Sequence, residues 1–319
     1  MAEQMKPKVI AVVGPTASGK TALSVKIAKL LDAEVVSADS MQIYKGMDIA
    51  TAKPTADEMQ GVPHHLIDFL PADKEFSVAS YVDLAHKAIT GISSRGKIAV
   101  VAGGTGLYVD NLLSGTRFTE GETDLLVREE LKAQLDSEGL DSLLNDLKLV
   151  DAESFEKLSI ERNPKRIMRA LEIYKTTGVT MSEQNRHSKP SEIPYEHIKI
   201  GLDFNFRQAL YDRINLRVDM MLEAGLLQEC ANFFSSNIGS TAVQAIGYKE
   251  LGAYFKGESC LEECVESLKR ATRRYAKRQL TWFRRDASTK WFYVDNYKNS
   301  DELFIDVKDF LISKGFDLE

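Results

Sequence analysis

"KVIAVVGPTASGKTAL", residues 8–23, decides the fold. The apolar run Val9 to Val13 is short, rich in valine and isoleucine, and closed by a glycine, which reads as a buried strand. Gly14, Pro15, Thr16, Ala17, Ser18, Gly19, Lys20 and Thr21 then fit G-x-x-x-x-G-K-[ST], and a helix is expected from Gly19 to about Leu31. The chemistry follows from the order strand, loop, helix. Gly14 and Gly19 allow backbone angles that a side chain would block, so the N–H groups around Ala17 to Lys20 can converge on one anion. The helix N-terminus adds its dipole, Lys20 a mobile positive charge, and Thr21 a hydroxyl able to ligate Mg²⁺. The loop is a phosphate site.

Outward from it the pattern repeats. "AEVVSAD" (33–39) reads as a second strand ending at Asp39, and a helix is expected from an N-cap at Ser77 to Ser94. "KIAVVAGG" (97–104) is a third buried strand, followed by a helix over Thr105 to Leu113. Short apolar strands alternating with helices predict an α/β fold, a P-loop parallel-sheet core with its ligands at the strands' carboxyl ends. After about Arg117 the pattern changes, and Thr123 to Gly178 shows only helical periodicity. Within it Asn163 is placed to cap a helix, Pro164 sits at its first position and Gly178 closes it. Strand character returns at "HIKIGLDF" (197–204), followed by long helices over 207–234 and 267–286 and a final strand, "KWFYVD" (290–295). The reading is a core of residues 1–117 and 196–319, interrupted by an all-helical domain at 118–195.

Hydrophobic residues make up 44% and charged residues 28% of the 319, the composition of an ordinary globular protein. No apolar stretch approaches the ~20 residues of a membrane span, and "VIAVV" is cut short too soon for a signal peptide, so a cytoplasmic monomer is expected. Cys230, Cys260 and Cys264 contain no C-x-x-C pair and read as plain thiols. His64 and His65 lack a third ligand at suitable spacing, so they read as structural or substrate-shaping. Met220 and Met221 read as the core of an amphipathic helix. The net charge of −6 hides an asymmetry: Lys269 to Lys290 holds nine Lys or Arg against one acid, a net +8 that leaves −14 elsewhere. Arg270, Arg274, Lys277, Arg278 and Thr281 fall at helical spacings, which by themselves read as a solvated charged face or as a surface that tracks a phosphate backbone. Trp282 and Phe283 read as core.

A kinase or nucleotide triphosphatase is the usual inference from such a loop, and normally shows an acid at the end of an apolar strand that organises Mg²⁺ and water. Here the third strand ends in glycines and a threonine, and the acid ends the second strand, at Asp39. A small-molecule kinase using ATP therefore stands as the alternative reading, and an ATP-hydrolysing motor recedes.

"GPTASGKTAL", "VVSADSMQIYKGMDIATAKP", "GVPHHLIDF", "VVAGGTGLYVDNLLSG", "RVDMMLEAGLLQE" and "AIGYKEL", in this order between residue 10 and about 285, resemble the bacterial tRNA dimethylallyltransferases, also called tRNA isopentenyltransferases. The resemblance implies transfer of a dimethylallyl group from dimethylallyl diphosphate to the exocyclic amine of the adenosine 3′ of the anticodon of tRNA. The loop would then hold a diphosphate leaving group with no phosphoryl transfer, with Lys20 neutralising charge and Thr21 on Mg²⁺. Thr16 matches the threonine that meets the oxygen between the allyl group and phosphorus. Asp39 matches the base or hydrogen-bond acceptor for the amine, with a Mg²⁺-organising carboxylate as its other possible role. Arg217, on a stretch that also carries Arg207 and Arg213, matches the arginine that meets the diphosphate. Contacts to the anticodon stem-loop of tRNA would come from Asp39, Ser40, Met41 and Gln42, from Thr105, and from Arg128. Further contacts fall at Asn163, Pro164, Lys165, Arg166 and Ile167, and at Gln244, Ala245, Ile246, Gly247, Tyr248 and Lys249. The resemblance also assigns tRNA binding to the helical domain at 118–195 and catalysis to the core. A base buried in a stacked loop cannot reach a carboxylate at a strand end, which implies extrusion of the adenosine.

Overall fold

The computed structural model describes residues 6–118, 124–188, 190, 192–235, 239 and 242–316. Thr123, the expected start of the helical stretch, lies outside them. The chain divides into two compact units, Met1–Leu113 with Pro194–Glu319, and Ser114–Ile193.

The first unit is built on strands β1 (Lys8–Val13), β2 (Glu34–Ser37), β3 (His64–His65), β4 (Ala99–Gly103), β5 (Glu196–Asp203) and β6 (Lys290–Tyr293). They form one parallel sheet in the order β3-β2-β4-β1-β5-β6. The period of two decides how each strand is buried. Val9, Ala11 and Val13 face one apolar cluster, Ile10 and Val12 the other, and all five are fully inaccessible. One face is covered by helices Val78–Ser94 and Gly106–Ser114, the other by Lys20–Leu30 and Ser300–Ser313. Because β4 lies between β1 and β2, the carboxyl ends of these three strands are neighbours, and the loops after them share one rim.

Several expectations are corrected in detail. The second strand stops at Ser37, and Asp39 follows in the loop, since Ala38 already gives its N–H to Ala102 and Asp39 turns to bond its own chain. The single long helix over 207–234 is two, Arg207–Glu223 and Leu226–Phe234, broken at Gly225 with φ +101. That left-handed angle suits glycine and ends the first helix. Met220 is exposed and only its neighbour Met221 packs on the core, because the buried stripe of that helix is Leu210, Ile214 and Val218. The edge strand β3 and the helices Tyr248–Phe255 and Ser300–Ser313 lie outside the expected elements.

The second unit is helical among its described residues: Leu125–Glu138, Leu140–Val150, Ala152–Glu161, Pro164–Thr177 and Met181–His187 surround Leu131, Leu143, Leu147, Ile167 and Leu171. Asn163 caps the fourth helix, accepting from the N–H of Lys165 at 3.1 Å and of Arg166 at 3.4 Å. Gly178 closes it in the left-handed region at φ +71.

Candidate active site

The loop Gly14–Thr21 wraps the carboxyl end of β1. Gly14 has φ +146, and a Cβ there would lie 2.6 Å from the carbonyl of Leu202 on β5, so glycine is required by both angle and space. Lys20, at the first position of the helix, folds its ammonium back onto the Pro15 carbonyl at 2.7 Å. Burial, then the charge of Arg217, push its pKa down to about 7, against the opposing pull of Asp39. A half-buried lysine that close to a guanidinium would regain its ordinary proton affinity beside an anion. Thr21 follows on the first turn, half-buried.

Arg217 reaches this loop from the far half of the sequence. On helix Arg207–Glu223 it stands one turn beyond Arg213, beside the stripe that buries Ile214 and Val218. Arg213 donates to the carbonyl of Ala17 at 2.9 Å, and Arg217 to the hydroxyl of Thr16 at 3.4 Å. Desolvation lowers the pKa of Arg217 as well. Arg207 is exposed at the start of the same helix. Two half-buried cations, Lys20 and Arg217, converging on one loop suit a multiply charged anion.

Asp39 sits in the loop two residues beyond β2. Its carboxylate accepts the N–H groups of Met41 at 2.9 Å and Gln42 at 3.3 Å. Burial pushes its pKa up, opposed by those two N–H donors and by the charges of Lys20 and Arg217. A carboxylate with raised proton affinity is better suited to accept a proton. Thr105, from the turn after β4, holds the neighbouring residue: its hydroxyl accepts the N–H of Ser40 at 3.1 Å, and its own N–H goes to Ala38 at 3.1 Å. The amide of Gln42 donates to the carbonyls of Thr51 at 3.1 Å and Ala52 at 3.0 Å, so it bends the chain after Met41 into a closed loop.

Mg²⁺ is tested by what surrounds Thr21. Among the described residues no group of three or more His, Cys, Asp or Glu could hold a metal. Thr21 offers one hydroxyl, a hard oxygen donor of the kind that suits Mg²⁺.

Of the expected RNA contacts, those in the first unit divide by burial. Tyr248 is fully buried and gives its hydroxyl to Glu229 at 2.8 Å, and Ala245 is 4% exposed, so these side chains build the core. Ile246 and Gly247 are also withdrawn, whereas Gln244 and Lys249 face solvent. Gly247, at φ +109, lets the turn pass Ala50. In the second unit Ile167 is fully buried, Asn163 is spent on its cap, and Arg166 pairs with Glu161 at 2.6 Å, while Pro164, Lys165 and Arg128 are exposed.

The basic segment forms helix Leu261–Phe283. Arg270, Arg274, Lys277, Arg278 and Thr281 are all exposed, whereas Cys264, Leu268, Ala276, Gln279 and Phe283 are buried. Lys269 pairs with Asp219 at 2.7 Å and Arg273 bonds Asn215 at 2.6 Å, so these two cations face inward. Trp282 is a wall residue whose indole N–H meets Asp110 at 2.6 Å.

Three residues that brace the site were given no role from the sequence, although Lys53 and Glu229 lie inside the blocks quoted above. Glu229 accepts four donors: the N–H groups of Asp48 at 2.8 Å, Ile49 at 2.7 Å and Ala50 at 2.9 Å, and the Tyr248 hydroxyl. Lys53, 7% exposed, binds the Tyr44 carbonyl at 2.7 Å, Asp48 at 2.5 Å and Asp68 at 2.7 Å, which ties "GMDIATAKP" to "HHLID". Gln279 bridges Thr16 and Gly104. A glutamine on the apolar stripe of a basic helix was the one available signal for the last. His65 is structural, bonded to Glu34 at 2.7 Å beside Arg95.

A sequence model of the family described as "IPP transferase" matches residues 42–286. The tRNA dimethylallyltransferase of Bacillus subtilis (strain 168) is 48% identical over 288 residues, covering 90% of this chain and 91% of its own. That of Thermoanaerobacter sp. (strain X514) is 46% identical over 313 residues, covering 97% and 99%. The crystal structure of the tRNA isopentenylpyrophosphate transferase of Bacillus halodurans superposes with a TM-score of 0.73 at 44% identity, covering 97% of both chains. A eukaryotic dimethylallyltransferase acting on tRNA gives a TM-score of 0.79 at 28% identity, over 97% of this chain and 80% of that one. A glycine-lysine anion loop after β1, a carboxylate after β2 and an arginine reaching Thr16 thus occur in a chain that aligns almost end to end with these enzymes: it belongs to the IPP transferase family.

Proposed function

We infer that this chain is a tRNA dimethylallyltransferase, moving a dimethylallyl group from dimethylallyl diphosphate to the exocyclic amine of the adenosine 3′ of the anticodon, with release of diphosphate. The observation that carries this reading is the convergence on one loop of two half-buried cations, Lys20 on the Pro15 carbonyl at 2.7 Å and Arg217 on the Thr16 hydroxyl at 3.4 Å, both within electrostatic reach of Asp39.

Departure of diphosphate from an allylic carbon spreads positive charge over three carbons and leaves negative charge on phosphate oxygens. The N–H groups of Ala17, Gly19 and Lys20, the Lys20 ammonium and the Arg217 guanidinium receive that charge from positions set by the fold, which lowers the barrier with little reorganisation. Thr16 supplies a hydroxyl to the oxygen that leaves carbon. The adenine amine is a weak nucleophile, and its attack on the allylic carbon forms the new C–N bond as the C–O bond breaks. Asp39 takes the amine's proton. Thr21 would hold Mg²⁺, which when bound would supply further neutralisation of the leaving group. The exposed cations Arg274, Lys277 and Arg278 seat the anticodon stem-loop, with Gln244, Lys249, Lys165 and Arg128 as further contacts. No helix among the described residues is long and apolar enough to cross a membrane; we place the enzyme in the cytoplasm, acting as a monomer.

One incubation tests the function. Labelled dimethylallyl diphosphate is offered with unmodified tRNA, with AMP, and without acceptor. Label in tRNA alone is the expected result. Label in AMP alone, or ATP consumption with a small alcohol and no label transfer, refutes it.

A further inference from the structure

We propose that Gln279 is a positioning residue for this transfer, orienting Thr16 so that its hydroxyl, and not its backbone, faces the leaving group. The inference rests on the function just given. Gln279 is 5% exposed, on the inner side of helix Leu261–Phe283. Its carbonyl oxygen accepts the N–H of Thr16 at 2.8 Å, and its amide nitrogen donates to the carbonyl of Gly104 at 3.0 Å. One side chain thus joins the loop after β1 to the turn after β4. A Cβ at Gly104 would collide with that amide nitrogen, so the glycine of the turn leaves room for the glutamine.

The consequence for Thr16 is chemical. In an anion cradle, successive backbone N–H groups point inward. The Thr16 N–H is taken by Gln279 and is withdrawn from any such set. With its backbone fixed, Thr16 turns its hydroxyl to Arg217, whose guanidinium donates to Oγ1 at 3.4 Å. A hydroxyl that accepts from a guanidinium keeps its own proton to give, and the acceptor it then suits is an anionic oxygen. Tyr275, one turn earlier on the helix, lies close to both Thr105 and Gln279. Thr105 in turn holds Ser40 beside Asp39. The inner face of this helix therefore sets the threonine directly and the carboxylate's loop at one remove, while its outer face carries Arg274, Lys277 and Arg278.

The test is steady-state transfer from labelled dimethylallyl diphosphate to unmodified tRNA by the full chain. It compares wild type, Gln279→Met, Gln279→Glu, Thr16→Ala and the double variant Thr16→Ala with Gln279→Met, alongside tRNA binding and thermal unfolding. Gln279→Met keeps the shape and loses both hydrogen bonds, and kcat should fall on the order of 10²-fold, the scale of a misplaced reacting group. The tRNA Kd should stay within about twofold, because no group facing RNA has changed. In the Thr16→Ala background the same substitution should cost kcat nothing further, since both act through one hydroxyl. Gln279→Glu keeps the acceptor for Thr16 but sets a carboxylate against the Gly104 carbonyl, and kcat should fall about tenfold. Wild-type kcat in Gln279→Glu, or in a folded Gln279→Met, overturns the proposal, as do losses that multiply in the double variant. If the wild type itself transfers nothing to tRNA, the functional reading fails with it. Transfer by wild type with insensitive Gln279 variants sinks the positioning role alone.

Discussion

Binding of diphosphate at Gly14–Thr21 should draw one proton out of solution at pH 8.5. In the free protein, burial and the neighbouring Arg217 hold Lys20 at about 7. At pH 8.5 such an amine is about 97% neutral. A bound diphosphate supplies the missing counter-charge and returns the pKa toward the ordinary lysine value of about 10.4, so about 0.9–1 proton is taken up per ligand. At this pH a prenyl diphosphate has already lost its own protons, which leaves the lysine as the source of the signal. The assay is isothermal titration of a non-transferable dimethylallyl diphosphate analogue in two buffers of different ionisation enthalpy. The dependence of the observed heat on the buffer gives the proton number. Because the bound pKa exceeds the free one, affinity should fall with rising pH between about 7 and 10, approaching tenfold per unit. Lys20→Met should remove both the uptake and the pH dependence. An uptake near zero at pH 8.5, with affinity flat from pH 7 to 9, would refute the claim that Lys20 is held short of charge. The same depression affects the ligand-free fold. Unfolded chain binds more protons at this site from about pH 7 to 10.4, so its contribution to stability rises with pH across that window and is constant below it.

Three further outcomes follow from the geometry. Asp39→Asn keeps the two backbone hydrogen bonds within reach of its amide oxygen but cannot take a proton; label transfer should drop about 10²–10⁴-fold with tRNA affinity nearly unchanged, and retained turnover would remove Asp39 from the base role. Arg274→Ala with Arg278→Ala should weaken tRNA binding and reduce the slope of log K against log salt by about 1.4–1.8; an unaltered slope would return this face to ordinary solvated charge. Glu229→Ala strips the acceptor from three backbone N–H groups and a buried tyrosine, so denaturant unfolding should show a loss of about 3–5 kcal/mol. Amide exchange should quicken first at Asp48, Ile49 and Ala50, and uniform exchange with unchanged stability would contradict the clamp.

Local chemistry was readable from the chain alone, and for a local reason. A valine-rich run, two glycines, a lysine and a threonine specify strand, cradle and helix from neighbours within a few residues, and Asn163, Pro164 and Gly178 bound a helix in the same way. The parallel sheet and the helical stretch followed from period, and Asp39 from its place after a strand. Where a helix must break at a positive φ, as at Gly225, the periodicity on both sides continued and hid the turn. Met220 was misread because a helix's buried stripe depends on what it packs against. Matching motifs also hid a division of labour: Tyr248 and Ile167 belong to recognisable blocks but are fully buried, while Gln244 and Lys165 beside them face solvent.

What only folding decided is the set of contacts between distant residues. Gln279 meets Thr16 across 263 positions, Arg217 meets it across 201, and Glu229 reaches Ala50 across 179. No spacing rule links such pairs, because the sheet order that brings β1, β2 and β4 side by side is settled by burial of whole strands and helices together. The sequence determined which groups are available for the chemistry; the tertiary packing determined which of them lose water, and so which carry shifted proton affinities and fixed hydrogen bonds.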